Sequence, residues 1–146
     1  MVCMALLLLS LGASTCVLVA AGYGSFNRMN ELQDGCLNTR VAMNYVSMQI
    51  RRFDTEGAVR IDDSRPGTRL VLSEDIEGER YETRIYLYKG YLRESFVPAE
   101  APSEDEHGFE IIPLDSFVIK RENNVIDIEL SSGANKRNMK LTLMSA

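Results

Sequence analysis

Read from the N-terminus, the chain changes its hydrophobic period twice. From Met1 to Asn27 there is no Asp, Glu, Lys, Arg or His. Met4 to Tyr23 supplies the run of about 20 apolar residues that a bilayer-crossing helix needs. Leu6 to Leu9 and Val17 to Val19 are its most apolar parts, and Tyr23 and Phe26 stand where interfacial aromatics are expected. A cleaved secretory signal fits less well, because it has a basic n-region and an apolar region of only about 7–15 residues. A lipoprotein signal ending at Cys16 would have Ala13-Ser14-Thr15 before the cysteine, a poor match. A buried core helix with no polar face needs a larger protein around it. Residues 1–26 are therefore expected to be a transmembrane segment. No Lys or Arg precedes the span, so a short basic leader is expected upstream of Met1.

From Phe26 the period becomes helical and one-sided. Apolar residues fall at Phe26, Met29, Cys36 or Leu37, Val41, Tyr45, Met48 and Phe53, with Leu32 and Ile50 near the same stripe. Arg28, Gln33, Asn38, Arg40, Asn44 and Arg51 make the opposite face. No proline occurs before Pro66, and Gly35 is the weak point, at a cost of about 1 kcal/mol against alanine. Asp54-Thr55-Glu56-Gly57 is a stop signal, and Arg51 and Arg52 suit the negative end of the helix dipole. The spacing predicts one helix over Val2–Phe53, roughly 75–80 Å long. The alternative is an anchor and a separate short helix, broken near Gly35. Residues 27–56 are the amphipathic continuation.

After Gly57 the period falls to two. Residues 69–73, 80–88, 91–97, 117–120, 125–130 and 139–144 alternate and are rich in strand formers. Asp75–Glu79, Lys89-Gly90, Glu122–Asn124 and Ser131–Asn135 are the connecting turns, and turns this short imply antiparallel neighbours. One face of such a meander is apolar and needs a cover. The helix stripe is the unclaimed apolar surface. The expected fold class is α+β: a long N-terminal helix, membrane-spanning in its first half, packed by its second half on a small antiparallel β-meander over 57–146.

Composition alone would have pointed elsewhere. With 146 residues, 45% apolar, 25% charged, a net charge of −5 and a mean hydropathy of −0.12, the averages describe an ordinary acidic domain. They are sums of unlike parts. Residues 1–53 hold four arginines against Glu31 and Asp34, and the other twelve basic and nineteen acidic residues all follow. The acidic surplus argues against direct nucleic-acid binding.

Candidate chemistry is sparse. His107, the one histidine, lies in the acidic, proline-containing stretch 98–110, which reads as a solvated loop. Asp62-Asp63 adjoins the Pro66-Gly67 turn and reads the same way. Three cysteines without a Cys-x-x-Cys or Cys/His spacing do not make a zinc site. Cys36 is a candidate intermolecular thiol, with a packed thiol as the favoured reading. Serine nucleophiles lack a base. No catalytic, metal or cofactor-binding residue is expected, and no enzyme activity. Ser10 and Ser14, and Ala20 and Gly24, stand four apart and could form a helix-association face.

The outline resembles type IV pilins and the pseudopilins of secretion and competence machines. It is more similar still to a pilin-like family of single-membrane bacteria known as a domain of unknown function, through Tyr45–Asp54, Leu70–Gly78, Tyr81–Tyr86 and Leu92–Pro98. That resemblance spans nearly the whole chain. It implies a non-catalytic structural subunit whose partners are the lipid bilayer and other pilin-like subunits or assembly machinery. Location would be the cell membrane, single-pass, with an extracytoplasmic C-terminal domain. No acidic residue precedes Glu31 and no cysteine lies in the sheet region. A minor subunit of an envelope filament, secretion or DNA-uptake assembly is therefore expected rather than a major one. The alternative is a membrane-tethered extracytoplasmic binding or sensing domain outside any filament.

Overall fold

The computed structural model describes residues 2–64, 67–102 and 105–145, and within its long helix the side chains at 4, 13–19, 22, 29 and 33–52. Helix α1 (Val2–Arg52) is followed by eight strands: β1 (Val59–Asp62), β2 (Arg69–Ile76), β3 (Glu79–Tyr88), β4 (Tyr91–Pro98), β5 (Phe109–Pro113), β6 (Ser116–Glu122), β7 (Val125–Ser132) and β8 (Asn135–Thr142). A single 3₁₀ turn spans Asp105–His107. The chain divides into two compact units, Met1–Asp34 and Gly35–Ala146.

In the first unit the described apolar side chains, Met4, Val17, Leu18, Val19 and Met29, are all exposed. A span takes about 20 residues of nearly unbroken apolar surface. Among the described residues no helix is long and apolar enough to cross a membrane. The exposed stretch Ala13–Val19 includes Ser14 and Thr15, and charged or amide side chains recur from Gln33 onward. The transmembrane segment over 1–26 and the single-pass membrane location are corrected by this finding, and the extracytoplasmic placement loses the span it rested on.

The second unit replaces the expected single meander with two antiparallel sheets that form a sandwich. One has five strands in the order β1-β2-β3-β4-β5, the other three in the order β6-β7-β8. The fold class of one helix covering one small pilin-like meander is therefore corrected. Two strands missed in the sequence, β1 and β5, widen the first sheet. The switch between sheets takes place at Leu114-Asp115, where the Leu114 amide donates to the Gly90 carbonyl and the next amide, of Asp115, to the Ser131 carbonyl. Adjacent residues thus serve different sheets. Hairpins fix the register within each sheet. Glu77-Gly78 and Lys89-Gly90 have positive φ at both positions, the type I′ geometry whose twist matches the flanking strands.

Apolar residues of both sheets and of α1 form one core. It contains Ala42, Met43, Val46 and Ile50 of α1, Phe53 in the turn after it, Leu70, Leu72, Ile85 and Leu92 of the first sheet, and Phe117, Ile119, Ile126, Ile128 and Leu130 of the second. The buried helix face is rotated by about one position from the expected stripe. Leu37, Val41 and Met48 are 58%, 43% and 60% exposed. Cys36 is also exposed, so the packed-thiol reading fails.

The reason for the rotation lies at Gly35. A Cβ there would sit 2.6 Å from the Ser132 carbonyl oxygen and 2.9 Å from Asn135 Nδ2. Gly35 brings the helix close to the β7–β8 turn, Thr39 and Ala42 on the same face are fully buried, and the Thr39 hydroxyl donates back to the Gly35 carbonyl at 3.1 Å. Gly35→Ala should gain about 1 kcal/mol of helix propensity. It should nevertheless lower the unfolding free energy by about 1–2 kcal/mol, because backbone must move to admit the methyl. Urea denaturation measures this, and an unchanged or raised midpoint would show that the Ser132 carbonyl yields at no cost.

Side chains close the outer edge of β6. The Thr68 hydroxyl accepts from the Ile119 amide at 3.1 Å and lies 3.4 Å from the Phe117 carbonyl, to which it donates, along the outer edge of β6. Arg121 donates to the Val59 carbonyl of β1 at 2.7 Å. Beyond β8, Asp54 accepts from the amides of Met144 and Ser145 and from the Ser145 hydroxyl. The Met144 amide bond, then the Ser145 hydroxyl, holds the Asp54 carboxyl below its ordinary value of 3.8. A depressed carboxyl stabilises the fold above that ordinary value, and the contribution is lost as pH falls through the lower folded value. The Met144 and Ser145 amide proton shifts should therefore titrate together with a midpoint below 3.8. An unchanged titration in Asp54→Ala would assign it to another group.

Candidate functional site

Cross-strand registers place polar residues in rows on one face of the first sheet. One row is Asp62, Arg69, Tyr86 and Arg93, the next Arg60, Val71, Arg84 and Ser95, and the third Ser73, Glu82 and Val97. Side chains opposite one another in an antiparallel pair share a face. Three adjacent strands thus each present an arginine to the segment that follows β4.

Each arginine grips that segment. Arg69 pairs with Asp105 at 2.6 Å and lies over the Tyr86 ring at 5.1 Å. Arg84 donates from Nε to Glu82 at 2.9 Å, and through its Nη atoms to the Ala101 and Ala99 carbonyls at 3.2 and 3.1 Å. Arg60 reaches the other Glu82 oxygen at 3.0 Å. Arg93 donates to the Glu106 carbonyl at 2.7 Å and pairs with Glu110. Tyr86 donates to the Asp105 carbonyl, and Lys89 and Tyr88 both meet Glu106. The Lys89 ammonium, then the Tyr88 hydroxyl, holds the Glu106 carboxyl below the usual range. A Cβ on Gly108 would collide with the Tyr86 hydroxyl, so glycine is needed for this close approach. The described part of 98–110 is solvent-facing, as expected, with Glu106 and His107 exposed, but it is also anchored, because Asp105 and Glu106 are tied to the sheet by Arg69, Tyr88 and Lys89.

Where the clamped segment meets β4 there is a cleft of about 470 Å³. Its walls include Arg84, Glu94, Ser95, Phe96, His107 and Phe109. Glu94 belongs to the inward-facing row with Leu70, Ile85 and Phe109. Burial pushes its carboxyl up. Its Oε2 is buried without a hydrogen-bond partner in the structure, so one acceptor in the cleft remains unmatched. Phe96 is 52% and Phe109 78% exposed, and Phe96 stacks on Tyr81 at 5.2 Å. Sequence reading missed Glu94. The available signal was its parity in Leu92-Arg93-Glu94-Ser95-Phe96, which places a carboxylate among inward positions. A second cleft, of about 430 Å³, lies between Arg52–Ala58 and the β2–β3 hairpin.

The residues singled out in the sequence are scattered. Asp62 accepts from the Ser64 amide at 3.0 Å, a local turn contact. Ser14 is exposed on α1. The side chains of Ser10, Ala20 and Gly24 lie outside the described residues, as does that of Cys3. Among the described residues no group of three His, Cys, Asp or Glu side chains could hold a metal ion. What the structure does bring together is an arginine-clamped segment, a strand edge and a cleft with aromatic walls and an inward carboxyl.

No curated protein and no solved structure matches the chain. One family model does, described as a domain of unknown function (DUF4860), over residues 37–132, from the second unit's part of α1 through β7. Because that match covers well over half of the sequence, the chain belongs to the DUF4860 family.

Proposed function

We propose that the chain is a non-catalytic structural subunit of a filament, secretion or DNA-uptake assembly, of the minor pilin-like or pseudopilin-like kind. The observation that supports this reading is the apolar surface exposed on α1. Val17, Leu18 and Val19 are exposed in the first unit, and Leu37, Val41 and Met48 in the second. Exposed apolar helix surface of this kind is the usual mark of an association site. The occupant proposed is the helix of another subunit, a second copy or a sister chain. The resemblance carried by Tyr45–Asp54 and Leu92–Pro98 supports the same reading, and the arginine-clamped segment serves it as a rigid surface rather than as reacting groups.

Cys16 and Cys36 are exposed and unpaired as thiols, and so report directly on helix contacts. In cells carrying the full-length chain with Cys3→Ser, mild oxidation is expected to give dimers through each remaining thiol. These dimers should disappear separately in Cys16→Ser and Cys36→Ser. A strictly monomeric product at both positions would remove the assembly reading.

A further inference from the structure

The ladder that β4 makes differs between its two sides. On the β3 side it pairs over its whole length, from Tyr91 to Pro98. On the β5 side pairing stops at Glu94, opposite Phe109. Among the described residues no strand pairs with Ser95–Val97 on that side. The Ala99 amide donates to the Arg80 carbonyl of β3. In an antiparallel ladder residues alternate between the two neighbours, so Ser95 and Val97 address β3 while the Phe96 amide and carbonyl address the open side. That side borders the 470 Å³ cleft. An open strand edge is a template for another extended chain.

The cleft adds chemistry to the edge. Glu94 Oε2 is buried and lacks a hydrogen-bond partner, and the exposed side chains of Phe96 and Phe109 line the same cleft as Glu94. The guanidinium of Arg84 is already committed to Glu82 and to two carbonyls. A donor carried by a ligand would meet a carboxylate oxygen that no described side chain serves. A cationic donor suits a carboxyl between aromatic walls, and it suits a region with twelve basic against nineteen acidic residues over 54–146.

We propose that the β4 edge at Ser95–Val97 binds an extended peptide segment of another protein, whose backbone continues the first sheet and whose Lys or Arg side chain donates to Glu94 Oε2 between Phe96 and Phe109. This site is independent of the helix surfaces that support the assembly role.

The test titrates ¹⁵N-labelled full-length chain with the pentapeptide acetyl-Thr-Val-Lys-Val-Thr-amide. Saturable amide shifts are expected at Phe96 and Phe109. Replacing the peptide lysine by norleucine should weaken binding about tenfold, and Glu94→Gln should do the same on the protein side. The peptide exchange leaves the protein unaltered, so it stands even if the variant folds poorly. Three results would overturn the proposal: no saturable shift at Phe96 at millimolar peptide, equal affinity for lysine and norleucine peptides, or Phe96 shifts that follow the chain's own concentration without peptide, which would make the occupant a second copy.

Discussion

Arg84→Ala is expected to lower the unfolding free energy by about 3 kcal/mol, toward the lower end of what breaking a buried ion pair costs. Arg84 is almost fully buried, and it serves Glu82 and the carbonyls of Ala99 and Ala101 at once. Without it Glu82, itself buried, keeps only Arg60, whose side chain is more than half exposed. Two carbonyls lose their donor together, and the wall of the cleft at Ala101 loses its anchor. The loss stays below the extreme because Arg60 still partly compensates the carboxylate and water can enter from the cleft. Equilibrium urea unfolding measures it. The double variant Arg84→Met with Glu82→Leu should recover most of the loss, because replacing both charges by apolar groups leaves no carboxylate stranded. A single variant within about 1 kcal/mol of the parent would mean that the clamp is already hydrated.

Ile128→Ala is expected to cost about 4 kcal/mol, within the range for deleting most of a fully buried isoleucine. Ile128 sits on the middle strand of the second sheet, opposite Ile119 on one side and Met139 on the other. It is completely buried in the core shared with α1 and the first sheet. The chain has no tryptophan and six tyrosines, none of them in β6, β7 or β8. Tyrosine fluorescence therefore reports on unfolding outside the mutated sheet. If the two sheets and the helix form one cooperative unit, the tyrosine midpoint falls by the full amount. Ile128→Val should move it by about 1 kcal/mol. A tyrosine transition that ignores Ile128→Ala would mean that the second sheet unfolds alone.

The sequence made some features plain and concealed others for physical reasons. Strands β3, β4 and β7 are legible because each reads as a strand over six residues or more, β6 shows over only four, and Lys89-Gly90 announces its hairpin through the residue that tolerates positive φ. Strand β1 is only four residues long, and β5 lies between an acidic stretch and Pro113, so neither offers enough alternation to be seen. The split into two sheets was hidden because Leu114-Asp115 looks like any short connection, and only the destinations of two neighbouring amides separate the sheets. The helix phase differs from the expected one because the large apolar residues Leu37, Val41 and Met48 are not the buried ones. The buried face instead begins with Gly35, where close backbone approach excludes a side chain, and continues with Thr39 and Ala42. The arginine clamp depends on which strands are neighbours, and residues 13 to 36 positions apart in sequence carry no local sign of it.

The Thr68 hydroxyl described at the β6 edge has a consequence for how the folded chain behaves when crowded. One side chain takes both an amide and a carbonyl that would otherwise be offered to a stranger. The β8 edge is guarded differently, by the charged side chains of Lys136, Arg137 and Lys140, of which Lys136 and Lys140 pair with Glu129 and Asp127, since a charged edge strand disfavours edge-to-edge stacking. Removing the plug with Thr68→Val keeps the shape of the side chain but frees both backbone groups. The harm should then show as slow growth of β-rich aggregates in concentrated samples rather than as a lower melting temperature, so that a residue of small thermodynamic weight governs shelf life.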